Sequence, residues 1–162
     1  MRVGIVGLGR MGGNLALAAI ERGHEVVGFD ARSSAHLDGL EPAASLDDLV
    51  ERLPPPRIVL LYVPHGEPTE RVCDELGRLL SAGDIVVDGG NSHWNDSRRR
   101  YAELAHRGIR FLDVGTSGGV SGARNGACFM AGGDPDAYAR VGPPASSVPR
   151  SSTGPALGTS SS

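Results

Sequence analysis

The chain begins with a short apolar run, Arg2 to Val6, that breaks into Gly7-Leu8-Gly9-Arg10-Met11-Gly12-Gly13-Asn14. It resumes as a mostly apolar helical segment through Leu15, Leu17, Ala18, Ala19 and Ile20, stopped by Gly23. Strand, glycine turn and helix in this order constrain the fold more than any other feature, because they describe the first half of a parallel β-α-β unit. Taken alone the Gly-x-Gly-x-x-Gly pattern is weak in a chain with 24 glycines. Its surroundings make it specific: a second strand-like run, Glu25 to Phe29, ends at Asp30, 18 residues after Gly12. In such a turn Gly7 allows the tight bend, Gly9 leaves bare backbone for a pyrophosphate, and Gly12 lets helix and strand pack closely. The free N–H groups and dipole of the helix then hold the phosphates. The expectation is a dinucleotide site.

Asp30 speaks to which dinucleotide. A carboxylate there accepts hydrogen bonds from a ribose 2′-OH and repels a 2′-phosphate, so NAD is favoured. Arg32 keeps NADP open as the alternative, since its guanidinium either swings toward a 2′-phosphate or is a solvated loop residue.

Strands and helices go on alternating. Ser45 to Leu53 reads as a helix with a capping box at Ser45 and Asp48, stopped by Pro54-Pro55-Pro56. A third strand spans Arg57 to Val63, a helix Glu67 to Ser81, a fourth strand Ile85 to Val87, a helix Ser92 to Arg107, a fifth strand Ile109 to Val114 and a sixth Ala127 to Ala131. This predicts an α/β fold, a Rossmann-like doubly wound and mostly parallel sheet. Two of the strand ends are polar and glycine-rich: Asp88-Gly89-Gly90-Asn91-Ser92 and Gly115-Thr116-Ser117-Gly118-Gly119. Ligands of open parallel sheets sit at the carboxyl ends of the strands, so these turns read as one small-molecule site with Asn91 and Ser92 facing it. Val63-Pro64-His65-Gly66 ends the third strand on the nicotinamide side. His65 and His93 could exchange protons near neutral pH, but neither has an adjacent carboxylate to orient it, and both read as plain polar contacts. Trp94 and Tyr101 read as helix-to-sheet packing, and Arg98-Arg99-Arg100 as a solvated face.

Net charge of −3 and 4% aromatic residues argue against a nucleic-acid or anionic-membrane partner. The segment before the first strand has no basic leader, and no apolar run approaches a membrane span, so a cytoplasmic protein is expected. Cys73 and Cys128 lack metal-ligand spacing and read as reduced thiols. From Gly142 to Ser162, 14 of 21 residues are Gly, Pro or Ser. The expected organisation is therefore a dinucleotide-binding domain over 1–141 and a disordered tail over 142–162.

With these residues in hand, the chain resembles the N-terminal coenzyme domain of the 6-phosphogluconate dehydrogenases, from Met1 to about Val141. The carriers are GLGRMGGNL at 7–15, VPHGEPTE at 63–70, VVDGGNSHWNDSRRR at 86–100 and DVGTSGGVSGARNGACFMAGG at 113–133. Related β-hydroxyacid dehydrogenases share the glycine fingerprint and a Ser-Gly-Gly turn but lack the Asp-Gly-Gly-Asn-Ser strand end. The resemblance implies oxidation of 6-phosphogluconate at C3 with reduction of NAD(P), loss of CO₂ and formation of ribulose 5-phosphate. It places Asn91, Ser117, Gly118 and Gly119 on the sugar acid. It places Gly7, Leu8, Gly9, Met11, Gly12, Asp30, Arg32, Val63, Pro64, His65 and Asn91 along the coenzyme. Asp30-Ala31-Arg32 stands where NADP-using members carry Asn-Arg-Thr, which resembles the NAD-preferring members. The family's helical domain, with its catalytic lysine and oligomer interface, has no counterpart here, and all 16 basic residues are arginines. The chain is accordingly expected to be a coenzyme-binding fragment without turnover, prone to self-association through a sheet edge near 127–131. The alternatives are a stand-alone NAD-binding module, from another class, and the coenzyme domain of a related β-hydroxyacid dehydrogenase.

Overall fold

The computed structural model describes residues 1–32, 37–117, 119 and 128–145. Its strands are β1 (Arg2–Val6), β2 (Glu25–Phe29), β3 (Leu40–Pro42), β4 (Ile58–Leu61), β5 (Ile85–Asp88), β6 (Arg110–Ser117) and β7 (Cys128–Gly133). Helices α1 (Arg10–Glu21), α2 (Leu46–Glu51), α3 (Glu67–Leu79), α4 (Trp94–Ala105) and α5 (Pro135–Ala145) connect or follow them. The sheet order is β3-β2-β1-β4-β5-β6-β7. Strands β1 to β6 run parallel, and β7 pairs antiparallel with β6.

The strand sequences explain the layering. Ile58-Val59-Leu60-Leu61 and Ile85-Val86-Val87 are apolar without interruption, as expected where a parallel sheet is covered on both faces. Alternate residues feed two cores. Val59, Val86 and Phe111 pack with Leu49 of α2, Leu76 of α3 and Leu104 of α4. Ile5, Ile85, Val87 and Leu112 pack on the opposite face with Ala16 of α1 and Ala137 of α5. The architecture is the doubly wound, Rossmann-like one. The chain leaves β1 toward β2 on one side and returns to β4 on the other, so a crevice opens at the carboxyl ends of β1 and β4.

Several boundaries differ from the sequence reading. Strand β3 is additional; it is three residues long and pairs with β2 at the sheet edge. Strand β6 runs on through Gly115, Thr116 and Ser117, which pair with Met130, Phe129 and Cys128, so these three residues are strand and not turn. Helix α5 was not anticipated, and it continues past Gly142 to Ala145, into the segment expected to be tail. Asp134 starts it by accepting the backbone N–H groups of Asp136 and Ala137, both at 2.9 Å. Residues 146–162 of the expected tail lie outside the described residues. The Ser45 cap forms as read, its hydroxyl accepting the Asp48 N–H at 3.1 Å, while Asp48 returns to the Ala44 N–H. Cys73 is a free, buried thiol, and burial pushes its pKa up to about 12, so it is inert. Among the described residues no helix is long and apolar enough to cross a membrane.

Candidate functional site

The first part of the site is the crevice above β1. A Cβ at Gly12 would lie 1.9 Å from the Gly7 carbonyl oxygen, and one at Gly7 would lie 2.5 Å from the Tyr62 carbonyl oxygen. The turn is thus pressed onto α1 and onto the end of β4, and only glycine fits. Gly9 is different: a Cβ there would meet nothing within 4 Å. Among the described residues nothing uses that space, as expected where a ligand approaches the backbone. Gly9 also caps α1 without any side chain, and the first turn of α1 holds no acidic residue. The leading N–H groups of that helix are therefore left to an anion. These residues fit a dinucleotide pyrophosphate.

Asp30 closes the far side of the crevice. Its Oδ2 accepts the Leu8 N–H at 2.7 Å and its Oδ1 the Arg32 N–H at 2.8 Å. One carboxylate therefore fixes the glycine turn and the start of the loop after β2. Arg32, Pro64 and His65 are exposed, and Leu8, Met11 and Val63 are half-buried around the same opening.

The second part is the turn after β5. Asp88 is 0% exposed; its Oδ1 accepts the Gly90 N–H at 2.9 Å, and its Oδ2 accepts the Ser92 hydroxyl at 2.7 Å and Arg100 at 2.9 Å. Arg100 is 1% exposed and also donates through Nε to Glu70 of α3 at 2.9 Å. Burial raises the Glu70 carboxyl, but hydrogen bonds from Arg100 and Arg99 outweigh it and hold the group below its ordinary value. The solvated-face reading of Arg98-Arg99-Arg100 is corrected here: Arg98 and Arg99 are exposed, whereas Arg100 is the largest fully buried side chain described. Three residues beyond Ser97 and four before Leu104, it lies on the buried face of α4.

The chain then makes an unusual bend. Asn91 has φ of 57°, the only positive value at a non-glycine among the described residues. That region costs a residue with a Cβ about 1 to 2 kcal/mol, and asparagine is among the few that visit it. A Cβ at Gly90 would lie 2.7 Å from the Val63 carbonyl oxygen, and one at Gly89 would lie 2.5 Å from the Tyr62 ring. The β5 turn is thereby pressed against the end of β4, which joins it to the coenzyme crevice. Burial raises the Tyr62 phenol above its ordinary pKa, with Thr116 opposing and Asp88 adding to the shift. Tyr62 therefore stays a neutral spacer between the glycine turn and the β5 turn. The sequence reading missed Tyr62, Glu70 and Arg100; the helical spacing of Ser97, Arg100 and Leu104 was the available signal for the last.

A cleft of about 390 Å³ opens beside this turn, lined by Asn91 and Ser92 together with Asp113 and Gly115 of β6 and Met130 of β7. Asn91 and Ser92 thus both line a cavity. Ser117 and Gly119 do not line it; both are exposed, and Gly118 lies outside the described residues. His93 is spent locally, since its Nδ1 accepts the Asn95 N–H at 3.3 Å and caps α4. Trp94 and Tyr101 are 59% and 41% exposed, not packed on the sheet as expected, because they fall on the outer face of α4. Trp94 instead lies beside the His93 ring and under the Arg98 guanidinium, 5.8 and 5.9 Å away between centres.

Residues 2–150 match the family described as the NAD binding domain of 6-phosphogluconate dehydrogenase. The NAD(+)-dependent decarboxylating 6-phosphogluconate dehydrogenase of Bacillus subtilis is 42% identical over 149 residues, covering 87% of this chain and 32% of that protein. Its counterpart from Haloferax volcanii is 44% identical over 147 residues, covering 88% of this chain and 48% of that protein. The chain thus spans about a third to about a half of the length of these curated relatives. Among solved structures, the 6-phosphogluconate dehydrogenase of Plasmodium falciparum, described with NADP+ and with 6-phosphogluconate, superposes with a TM-score of 0.80 at 28% identity. It covers 88% of this chain, which in turn covers 32% of it. The 3-hydroxyisobutyrate dehydrogenase of Mycobacterium tuberculosis superposes with a TM-score of 0.81 at 27% identity, covering 89% and 50% of the two chains.

Proposed function

The chain belongs to the family of NAD-binding domains of 6-phosphogluconate dehydrogenase, and from that premise we propose that it is the coenzyme-binding part of a decarboxylating 6-phosphogluconate dehydrogenase that prefers NAD. Asp30 carries the choice of coenzyme. Its carboxylate stands at the end of β2 with each oxygen held by one backbone N–H, so the charge is fixed in place where an adenosine ribose would lie. A 2′-phosphate brought against it meets an unfavourable charge pair of about 1 to 3 kcal/mol in a partly buried site.

When bound, the nicotinamide supplies hydride acceptance. The chain's own residues supply placement. The glycine turn and the uncapped start of α1 hold the pyrophosphate, and Leu8, Met11, Val63, Pro64 and His65 border the coenzyme. Asn91 and Ser92 offer an amide and a hydroxyl to the hydroxyl groups of the sugar acid in the adjoining cleft; only the family resemblance assigns Ser117, Gly118 and Gly119 to the same ligand. Oxidation at C3 leaves a ketone β to the carboxylate, which accepts the electron pair released as CO₂ departs.

Calorimetric titration of the chain with NAD and with NADP tests the reading. Tighter NAD binding is expected, with Asp30→Asn narrowing the difference while keeping an acceptor for Leu8. Equal or tighter binding of NADP would overturn the preference and make Arg32 the deciding residue.

A further inference from the structure

We propose that Arg100 is a positioning residue for this site: its buried ion pair with Asp88 sets the turn that places Asn91 between coenzyme and sugar acid. The proposal rests on the role given to Asn91 above. Its warrant is where the pair lies. A buried ion pair adds little stability over apolar residues of the same size, because desolvation offsets the attraction. The Glu70, Arg100 and Asp88 chain nevertheless converges from α3, α4 and β5 on one point, the carboxyl end of β5. From that point Asp88 reaches forward to both sides of Asn91, through the Gly90 N–H and the Ser92 hydroxyl. Asn91 between them holds the left-handed conformation. A backbone in such a region persists only where its surroundings over-determine it. Arg100 completes that set by fixing the Asp88 oxygen that Ser92 shares.

The same chemistry recurs at the other end of β5, away from the cleft beside Asn91. Arg57 donates to Asp84 at 3.1 Å, and Asp84, 1% exposed, also accepts the Arg57 and Ser81 N–H groups. Arg57, 21% exposed against 1% for Arg100, is therefore the comparison for an arginine–aspartate pair away from the Asn91 turn.

The experiment compares wild type with Arg100→Lys, Arg100→Met and Arg57→Met by amide hydrogen exchange, thermal midpoint and NAD affinity. In the Arg100 variants we expect faster exchange at Gly90 and Asn91 and a loss of NAD affinity of about five- to tenfold, the scale on which members of one hydrogen-bonded network couple. Arg57→Met should lower the midpoint and leave both other readouts unchanged. If Arg100→Met fails to fold, the double variant Asp88→Asn with Arg100→Met removes the unpaired charge. That variant should fold and still show fast Gly90 exchange and weakened binding. Folded Arg100 variants with wild-type affinity would overturn the proposal, whether or not exchange at Gly90 had changed. If wild type bound neither NAD nor NADP, the functional reading would fall. Unchanged Gly90 exchange would then overturn the role of Arg100 in the turn, and faster exchange would uphold it.

Discussion

Two glycines of the same turn make opposite demands on a methyl group. At Gly12 a Cβ would meet the Gly7 carbonyl oxygen at 1.9 Å, a backbone atom that cannot rotate aside. Gly12→Ala should therefore cost stability, by about 1 to 3 kcal/mol or more as overpacking does, and weaken coenzyme binding with it. At Gly9 the backbone has φ of −67°, which any residue adopts, and the space beside it is open. Gly9→Ala should leave the thermal midpoint within a degree or two of wild type and still weaken coenzyme binding, because the methyl group occupies the approach of the pyrophosphate. Thermal melts paired with calorimetry on both variants check this. A Gly9→Ala chain that binds NAD as wild type does would move the pyrophosphate off this turn. The roles of these glycines were legible in the sequence from their place between a strand and a helix. That Asp30 also ties the turn together was not, since a hydrogen bond to Leu8 across 22 residues depends on the pairing of β1 with β2.

Elements repeat the pattern: what rests on local periodicity could be read, and what rests on a partner could not. Helix α3 and strands β4 and β5 have apolar spacings that declare them. Strand β3, Leu-Glu-Pro, has none, and exists because β2 offers it an edge. Helix α5 was hidden by Val-Gly-Pro-Pro at 141–144, which read as breakers, although Asp134-Pro135 is a helix-start signal. Three adjacent arginines look alike in sequence, and the 100° turn per residue on α4 sends Arg100 inward while its neighbours face water. Helices α3 and α4 are tied through Glu70, and this has a pH consequence. The folded-state pKa of Glu70 lies below its ordinary value of 4.5, so it contributes stability that is present above the unfolded pKa and lost as pH falls through the folded one. Glu70→Gln should thus be less stable than wild type at neutral pH, with the gap closing as pH falls below 4.5. Chemical denaturation across that range measures it, and a gap independent of pH would mean the Glu70 charge contributes nothing.

On the scale of the whole molecule, placement and proton transfer separate. The described residues hold a crevice that fits a dinucleotide and, beside Asn91, a cleft of about 390 Å³. The resemblance assigns the proton of the C3 hydroxyl to a lysine acting as general base, and this chain of 162 residues contains none. Its histidines near the site are poorly placed to substitute. His93 uses Nδ1 to cap α4, and His65 is exposed on the coenzyme side. Loss of a positioned base lowers a rate by roughly 10²- to 10⁴-fold. We therefore expect the chain by itself to bind NAD and yet give no measurable NADH when 6-phosphogluconate is added. Absorbance of NADH in the presence of saturating NAD is the assay, with coenzyme binding confirmed on the same preparation by quenching of Trp94, the lone tryptophan. A rate proportional to chain concentration would overturn the expectation. His65→Ala and His93→Ala would then show which imidazole takes the proton, and loss of the rate in His93→Ala would have to be weighed against the cap that this residue provides to α4.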